Sequence, residues 1–525
     1  MKYRFVVLLS IFLYSLQANA QFSLKAQSDL FDEPQTGSAK LILLSNGSTA
    51  LFILHDGMSL RLYDANHRLK VENDNLLPIA GKKKRLGFET AFENDGSLVV
   101  ICSSYEEGKI NLVRYVINEK TGHAGPEEKI FTMPEPKRNI FSGTDNDLYP
   151  IFYVRKDPAS DHYAIVIQIN GADDPAKRME IYYFNAKNQV IAQGFCSKGQ
   201  ENYEKLQMID FSVLGDQKVS VMVYAYNKKK HDNREGDLIL MNLDSGTHTV
   251  DNHELGFKSE FYVKSGLSRF NPLTRRIVLL ANCAKPKMDG YVPVICMVNP
   301  FDNDIENAFT VFPERADNES QALYGKKNHF TGLPQDFSFD HEGNIWIVFQ
   351  EVVITNTGRQ VYSDMKDIAV MGLGPNGKEF AGYFHPVDHV ILETSVPDFY
   401  HAVKMQGAQS LYLGNQFKSF SYIHGPSKSY LVMNDIAYDE KKVEKGKVKR
   451  ILSVGDCDGF YYSLQGDDPL LKGQLVFEKE EHSRDHNLGL FAVSDYDPER
   501  NMYATLKLEK EGRSKQVRLI WMEPK

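Results

Sequence analysis

Short apolar runs, rich in β-branched and aromatic residues, alternate with polar turns along nearly the whole chain. Residues 337–350 show the pattern most clearly, because an apolar run is followed by a polar turn and then by the run 345–349. Asp340 and Gly343 are typical turn residues, since aspartate hydrogen-bonds its own backbone and glycine adopts positive φ. The pattern predicts a strand, a tight turn and a second strand.

Eight such units follow one another along the chain. Their turn signals are Asn46-Gly47, Asn94-Asp95-Gly96, Asp157-Pro158, Gly215-Asp216, Asn271-Pro272, Asp340 with Gly343, Gly425-Pro426 and Asp497-Pro498. The units recur every 50 to 85 residues, roughly, which suits the four short strands of a propeller blade. We therefore predict an all-β fold, a single β-propeller over residues 21–525 with eight repeats, hence seven or eight four-stranded blades. We expect the segment after Phe22 to pair with the last blade and to protect its edge. No segment after residue 20 shows the period of a helix.

Two stretches resemble repeats of known β-propellers. Residues 339–346, Phe-Asp-His-Glu-Gly-Asn-Ile-Trp, resemble the Asp-x-x-Gly-Asn-apolar-Trp turn common in propeller repeats of bacterial exported and sensor proteins. Residues 367–377 and 430–435 are similar to uncharacterised exported propeller-like bacterial proteins. The resemblance covers nearly the whole chain after residue 20, and it implies a fold but no activity.

Residues 1–20 have the composition of a secretory signal peptide. Lys2 and Arg4 precede the apolar residues 5–16, which are too few to span a bilayer, and residues 18–20 read Ala-Asn-Ala, a cleavage signal. No later apolar run is long enough for a transmembrane helix. We predict that this leader is removed and that the protein is periplasmic or extracellular.

Charge and composition argue against a nucleic-acid partner. The formal net charge is −8, and loss of Lys2 and Arg4 with the leader makes it about −10. The basic tracts at 82–85 and 228–230 are short and isolated. We expect no nucleic acid, no stable membrane insertion, no cofactor and no metal. The expected partner is a glycan, a peptide or an envelope protein.

Five cysteines follow the leader, too few for a disulfide framework and one too many for complete pairing. The two-residue turn signal at 289–290 places Cys283 opposite Cys296 in a non-hydrogen-bonded pair, close enough for a bridge. The same register sets Pro286 opposite Pro293, where neither can donate to the ladder. The sequence leaves two alternatives open, a disulfide between Cys283 and Cys296 or two free thiols.

No complete catalytic motif occurs in the sequence. Residues 372–377 match Gly-x-Gly-x-x-Gly, but Pro375 and Gly377 form a turn that leads into another strand and not into a helix. Gly-x-Ser-x-Gly, His-Glu-x-x-His and phosphate-loop motifs are absent. We predict a non-catalytic binding or scaffolding propeller. The alternative is a carbohydrate- or peptide-active hydrolase or lyase with carboxylates at the channel mouth.

The longest insertions between strands fall in the sixth and seventh repeats, at residues 355–364 and 385–414. Long loops on a propeller often build its functional face. Imidazole, carboxylate and aromatic groups are dense in the second insertion, and together they suit a polar ligand. The alternative is that these groups never meet. The candidate ligand-binding residues are His385, Asp388, His389, Tyr400 and His401.

Overall fold

The computed structural model covers most of the chain after the leader. It describes residues 22–524 except for 56, 79–84, 137–147, 173, 197–202, 229–233, 258–261, 285–289, 357–360, 392–398, 400–401, 403–406, 412–413, 426–427, 437–445, 478–485 and 512–513. The leader, residues 1–20, lies outside the described residues and stays a prediction. Within the described ranges, no helix is long and apolar enough to cross a membrane.

The first half of the chain forms two N-terminal strands and four antiparallel sheets, which we number as blades. The N-terminal strands are β1 (Ser23–Gln27) and β2 (Phe31–Asp32). Blade 1 contains β3 (Gly37–Leu43), β4 (Thr49–Leu54), β5 (Gly57–Tyr63) and β6 (Leu69–Pro78). Blade 2 contains β7 (Arg85–Asn94), β8 (Ser97–Glu106), β9 (Lys109–Asn118) and β10 (Glu128–Pro134). Blade 3 contains β11 (Ile151–Lys156), β12 (Tyr163–Gln168), β13 (Met179–Phe184) and β14 (Val190–Phe195). Blade 4 contains β15 (Lys205–Leu214), β16 (Lys218–Lys228), β17 (Arg234–Asp244) and β18 (Val250–Glu254).

The second half forms four more blades. Blade 5 contains β19 (Tyr262–Asn271), β20 (Arg276–Ala284), β21 (Val292–Asn299) and β22 (Asp304–Thr310). Helix α1 (Glu314–Tyr324) precedes blade 6, which contains β23 (Leu333–Phe339), β24 (Ile345–Asn356), β25 (Val361–Leu373) and β26 (Glu379–His385). Two short strands follow, β27 (His389–Ile391) and β28 (Gln409–Leu411). Blade 7 contains β29 (Ser421–His424), β30 (Ser429–Asp435), β31 (Asp458–Ser463) and β32 (Gly473–Leu475). Blade 8 contains β33 (Leu488–Asp497), β34 (Met502–Glu511) and β35 (Ser514–Glu523). Short 3-10 turns occur at Pro175–Lys177, Asn415–Phe417 and Val454–Asp456.

These sheets follow one another around a ring. The protein is an eight-bladed β-propeller. The first strand of each blade is innermost, so eight inner strands surround a central channel. The predicted all-β propeller with eight repeats is confirmed, and the open choice between seven and eight blades is settled as eight.

The N-terminal strand closes the ring. Strand β1 pairs antiparallel with β35, from Ser23 opposite Glu523 to Gln27 opposite Ile520, and so becomes the outer strand of blade 8. Phe22, just before β1, is buried among tyrosine rings of blades 7 and 8. The predicted pairing of the segment after Phe22 with the last blade is confirmed.

The turns between the first and second strands of the blades all lie on one face of the ring. This turn face is made by residues 44–48, 95–96, 157–162, 215–217, 272–275, 340–344, 425, 428 and 498–501. In blade 6, Asp340 Oδ1 accepts the backbone N–H groups of Glu342 and Asn344, both at 2.9 Å. Its Oδ2 accepts the indole N–H of Trp346 at 3.1 Å. One carboxylate therefore holds the turn and the strand after it.

The core lies between the blades. Successive side chains of a strand point to opposite faces of its sheet, so each blade packs against both neighbours. Between blades 4 and 5, for example, Met222 and Leu240 meet Leu279 and Val298, all fully buried. Apolar burial distributed over the ring in this way stabilises the fold.

Helix α1 contradicts the expectation that no helix follows the leader. Its buried positions are Ala316, Asp317 and Ser320, which are small or polar and leave no apolar stripe in the sequence. Asp317 accepts the backbone N–H of Phe330 at 2.8 Å, which fixes the start of blade 6. Leu323 and Tyr324 also pack against the apolar core beside blade 6, so polar and apolar contacts together hold the helix.

The predicted register of the Cys283–Cys296 bridge is wrong. Cys283 lies opposite Val292, and Cys296 lies opposite Leu279 on the same pair of strands. Both thiols are free and buried, and burial raises the pKa of each to about 12. The connection between the strands is longer than the two-residue turn that was inferred, because β20 ends at Ala284 and β21 begins at Val292.

Candidate functional site

A large cavity occupies the central channel at its turn-face end. Its volume is about 1020 Å³. The wall is formed by the ends of the inner strands and by the turns that follow them in blades 3, 4, 5 and 6. These turns include Asp157-Pro158, Asn271-Pro272 and Asp340, three of the turn signals in the sequence.

The opposite end of the channel is occupied by part of the insertion after blade 6. We call the described residues of 385–417 the strap. Strand β28 of the strap pairs with the first residues of β3, with Gln409 opposite Ala39 and Leu411 opposite Gly37. Leu411 and Phe417 are buried against blades 1 and 8. The insertion therefore adds a strand to an inner blade edge inside the channel.

Two arginines tie neighbouring inner strands together along the channel wall. Arg155 of blade 3 pairs with both carboxylate oxygens of Asp210 in blade 4, at 2.8 and 3.1 Å. It also donates to the backbone oxygen of Ser268 in blade 5 at 3.1 Å. Arg269 of blade 5 repeats the arrangement with Asp336 of blade 6 at 2.6 Å. Charge in this part of the wall is compensated within the protein.

The carboxylates at the mouth of the cavity are engaged in holding turns. Asp157 Oδ2 accepts the Ser160 hydroxyl at 2.6 Å and the backbone N–H of Gly215, in the next blade, at 3.1 Å. Burial alone would raise the pKa of Asp340, but the hydrogen bonds from Asn344 and Trp346 outweigh it and lower that pKa. Asp340 therefore does not resemble a proton donor at neutral pH.

Two half-buried groups of opposite charge, Lys40 and Asp495, close the wall between blades 8 and 1. Asp495 accepts the backbone N–H of Leu43 at 2.8 Å and that of Tyr496 at 3.0 Å. Burial raises the pKa of Asp495 and lowers the pKa of Lys40, while the opposite charge of each partner counteracts both shifts. The pair thus adds no net charge to the cavity.

Apolar side chains complete the cavity. Phe92, Phe270 and Phe339 lie on the ends of three inner strands, and Leu273 stands at the rim with 62% of its surface exposed. Aromatic and aliphatic walls with few polar groups are typical of ligand pockets. The cavity suits an uncharged ligand with apolar groups.

Three of the predicted ligand-binding residues, His385, Asp388 and His389, do not line this cavity. His385 and His389 are 1% exposed, in the strap root beside blade 7. His385 Nε2 lies 3.0 Å from Asp435 Oδ2, and His389 Nδ1 lies 3.3 Å from the backbone oxygen of Lys418. Asp388 is half-buried, and burial raises its pKa. Tyr400 and His401 lie outside the described residues, so ligand binding by the set stays a prediction.

Asp435 is the centre of a buried network at the strap root. Besides His385, it accepts the hydroxyl of Tyr462 at 2.7 Å and the backbone N–H of Ile436 at 2.7 Å. Burial alone would raise the pKa of Asp435, but hydrogen bonding and the charge of His385 outweigh it and lower that pKa. The strap is thereby anchored to blade 7. Among the described residues, no group of three His, Cys, Asp or Glu side chains is placed to hold a metal ion.

Asp367, also at the strap root, should make stability depend on pH. Burial and the nearby charge of Glu351 raise its pKa to about 7, although it accepts the hydroxyl of Tyr324 and the N–H of Val387. The ionised form is penalised in the folded state, so stability is lost as pH rises from the unfolded pKa of 3.8 to about 7. Asp367→Asn should therefore stabilise the protein by about 2–4 kcal/mol at pH 8 and much less at pH 4.

Urea unfolding of both proteins at pH 4, 6 and 8 measures this effect. The exposed Asp74 provides a control, because Asp74→Asn makes the same substitution on the surface of blade 1. A benefit of Asp367→Asn that does not grow with pH would contradict the assignment.

A repeated sequence motif marks the two arginines of the channel wall, although it was not among the predicted site residues. Arg155 and Arg269 each stand two residues before an Asx-Pro turn, so Arg-x-Asx-Pro occurs at equivalent positions in blades 3 and 5. The partners of these arginines, Asp210 and Asp336, lie beside bulges in the inner strands of the next blades. They could therefore be identified only once the strand register was known.

Comparison with known proteins finds similarity to solved structures only, and at low sequence identity. Neither a protein-family model nor a curated protein matches the sequence. The solved structure of the Dos1 propeller matches with 9% identity over 96% of this chain and 96% of its own, with a TM-score of 0.44. An oligogalacturonate lyase in complex with manganese matches with 10% identity over 96% of this chain and 98% of its own, with a TM-score of 0.37. The solved structure of a protein of unknown function from Bacteroides caccae matches with 10% identity over 62% of this chain and 89% of its own, with a TM-score of 0.26.

Proposed function

We propose that the protein is an exported binding propeller whose ligand enters the central channel from the turn face. The size of the cavity, about 1020 Å³, and its apolar walls support this, since ligand pockets are concave and mostly apolar. The composition of residues 1–20 supports a periplasmic or extracellular location. The partner is a glycan, a peptide or a segment of an envelope protein.

The observation that carries the proposal is the state of the carboxylates around the cavity. Glycoside hydrolysis needs two carboxyl groups free to act on the substrate, one of which exchanges a proton. Here Asp157 and Asp340 hold turns, Asp210 and Asp336 pair with arginines, and Asp495 accepts two backbone N–H groups. Such engaged groups favour binding over hydrolysis.

Narrowing the mouth of the channel should abolish binding. Ala159 and Leu273 line the cavity from the turns of blades 3 and 5 and are exposed, so Ala159→Trp combined with Leu273→Trp should obstruct entry without disturbing the core. The labelled full-length protein is applied to arrays of neutral oligosaccharides and of capped octapeptides. We expect binding to one array, weakened about tenfold or more by the double variant.

The matched control is Lys187→Trp, which adds the same ring to an exposed turn of blade 3 outside the cavity. It should leave binding unchanged. Absence of binding to both arrays, or equal binding by the double variant, would contradict the proposal. If the protein instead hydrolyses oligosaccharides or peptides, and Asp495→Asn abolishes that hydrolysis, the enzymatic alternative is supported.

A further inference from the structure

Strand β11 is unusual among the eight inner strands. None of its six residues is buried, whereas every other inner strand contains buried positions in its described part. It is the terminal strand of its sheet, with β12 as its neighbour on one side only. Its first four residues, Ile-Phe-Tyr-Val, have high β-propensity. The open backbone edge of such a strand is a template for a further strand.

The side chains of β11 are already committed to the neighbouring blades. Phe152 and Val154 pack towards blade 2, while Tyr153 packs towards blade 4 and Arg155 pairs there with Asp210. The groups that β11 turns towards the channel are therefore those of its backbone.

The hydrogen-bond register identifies these backbone groups. The backbone N–H of Asp157 donates to the backbone oxygen of His162 at 2.8 Å. Because hydrogen-bonded and non-hydrogen-bonded pairs alternate in an antiparallel ladder, the backbone groups of Arg155 and Tyr153 also face β12. The N–H and C=O groups of Phe152, Val154 and Lys156 then face the channel, where no described residue pairs with them. Val154 and Lys156 both line the cavity.

The strap shows that such an edge accepts a chain inside this channel. In β3 the N–H of Leu44 bonds to Ser48, so Ala39 and Gly37 face the channel by the same alternation. These are the residues opposite Gln409 and Leu411 of β28. The channel is thus wide enough for an extended segment beside an inner strand.

We propose that the ligand of the channel is an extended, uncharged polypeptide segment that pairs with the free inner edge of β11. This rests on the proposed function of the channel as a binding site. Donors and acceptors spaced about 7 Å apart along an edge match the backbone of a second strand, which a saccharide does not reproduce. The ion pairs of Arg155 with Asp210 and of Lys156 with Asp161 compensate both cations of β11, which favours a segment without charged side chains.

Removing one donor from this edge tests the proposal. Val154→Pro deletes a channel-facing N–H that the blade itself does not use, and proline is tolerated on edge strands. The labelled full-length protein is applied to the octapeptide and oligosaccharide arrays, and we expect peptides to bind and Val154→Pro to weaken them about tenfold. The control is Phe195→Pro, the same change on the outer edge strand of the same blade, where Phe195 is exposed; it should leave binding unchanged.

Hydrogen exchange gives a second measurement that does not depend on a variant. Binding of the best octapeptide to the unaltered protein should slow amide exchange in residues 151–156 by about tenfold or more. Peptide binding without this protection, or binding that Val154→Pro leaves intact, overturns strand pairing. If only saccharides bind, and the double variant Ala159→Trp with Leu273→Trp blocks that binding, the channel remains the site but its ligand is not a peptide. Binding to neither array overturns both.

Discussion

Phe22→Ala is expected to lower the free energy of unfolding by about 3–5 kcal/mol, the range for truncating a buried phenylalanine. The Phe22 ring is 5% exposed and lies 4.7 Å from Tyr461, 5.2 Å from Tyr430 and 6.0 Å from Tyr503, measured between ring centroids. Because two of these rings belong to blade 7 and one to blade 8, the cavity left by alanine opens the closing joint of the ring. Urea unfolding followed by fluorescence and circular dichroism measures the loss.

The control for this variant is Phe22→Leu, which keeps most of the apolar volume and should cost less than about 1.5 kcal/mol. The difference in the free energy of unfolding between the two variants measures the contribution of side-chain packing at this position. Equal stability of Phe22→Ala and the unaltered protein would show that the ring closes without this contact.

Asp435→Ala is expected to cost about 3–5 kcal/mol, as does removal of one partner from a buried charged network. The substitution removes the acceptor that His385, the hydroxyl of Tyr462 and the N–H of Ile436 share. Each such group contributes a desolvation penalty of about 1–3 kcal/mol when unpaired. The loss should be accompanied by faster proteolysis of the strap, since the network anchors its root.

Asp435→Asn is the matched control for this network. The amide keeps an acceptor oxygen and the shape of the side chain but loses the charge, so its cost should be smaller than that of alanine. A stability change below about 1 kcal/mol for Asp435→Ala would show that water satisfies these donors, and the anchoring role of the network would be withdrawn.

The architecture was predictable because its determinants are local. Alternating apolar residues and turn signals such as Asn46-Gly47 specify each strand pair, and the repetition of the pair specifies the ring. Helix α1 was missed because Ala316 and Ser320 are buried through their small size, which leaves no hydrophobic period. The Cys283 register was wrong because the ladder is set by apolar pairs such as Ile277 with Val298, and the turn signal at 289–290 did not fix it.

The candidate site was less accessible to sequence reasoning. Length and histidine content correctly marked the insertion after blade 6 as distinctive, yet two of its histidines, His385 and His389, are buried at its root. The channel wall depends on pairs such as Arg155 with Asp210, which lie in different blades and are brought together only by ring geometry. The open edge of β11 is a property of its backbone, and backbone exposure leaves no mark on residue type.

The pairing of β1 with β35 sets a limit on when folding can finish. Strand β1 is the first described strand, and its partner is the last described strand of the chain. Blade 8 cannot be completed until these distant segments meet, however quickly the earlier blades form. Contacts between segments far apart in sequence form slowly, because the entropy of closing the loop opposes them. Closure is therefore expected to be a late step of folding.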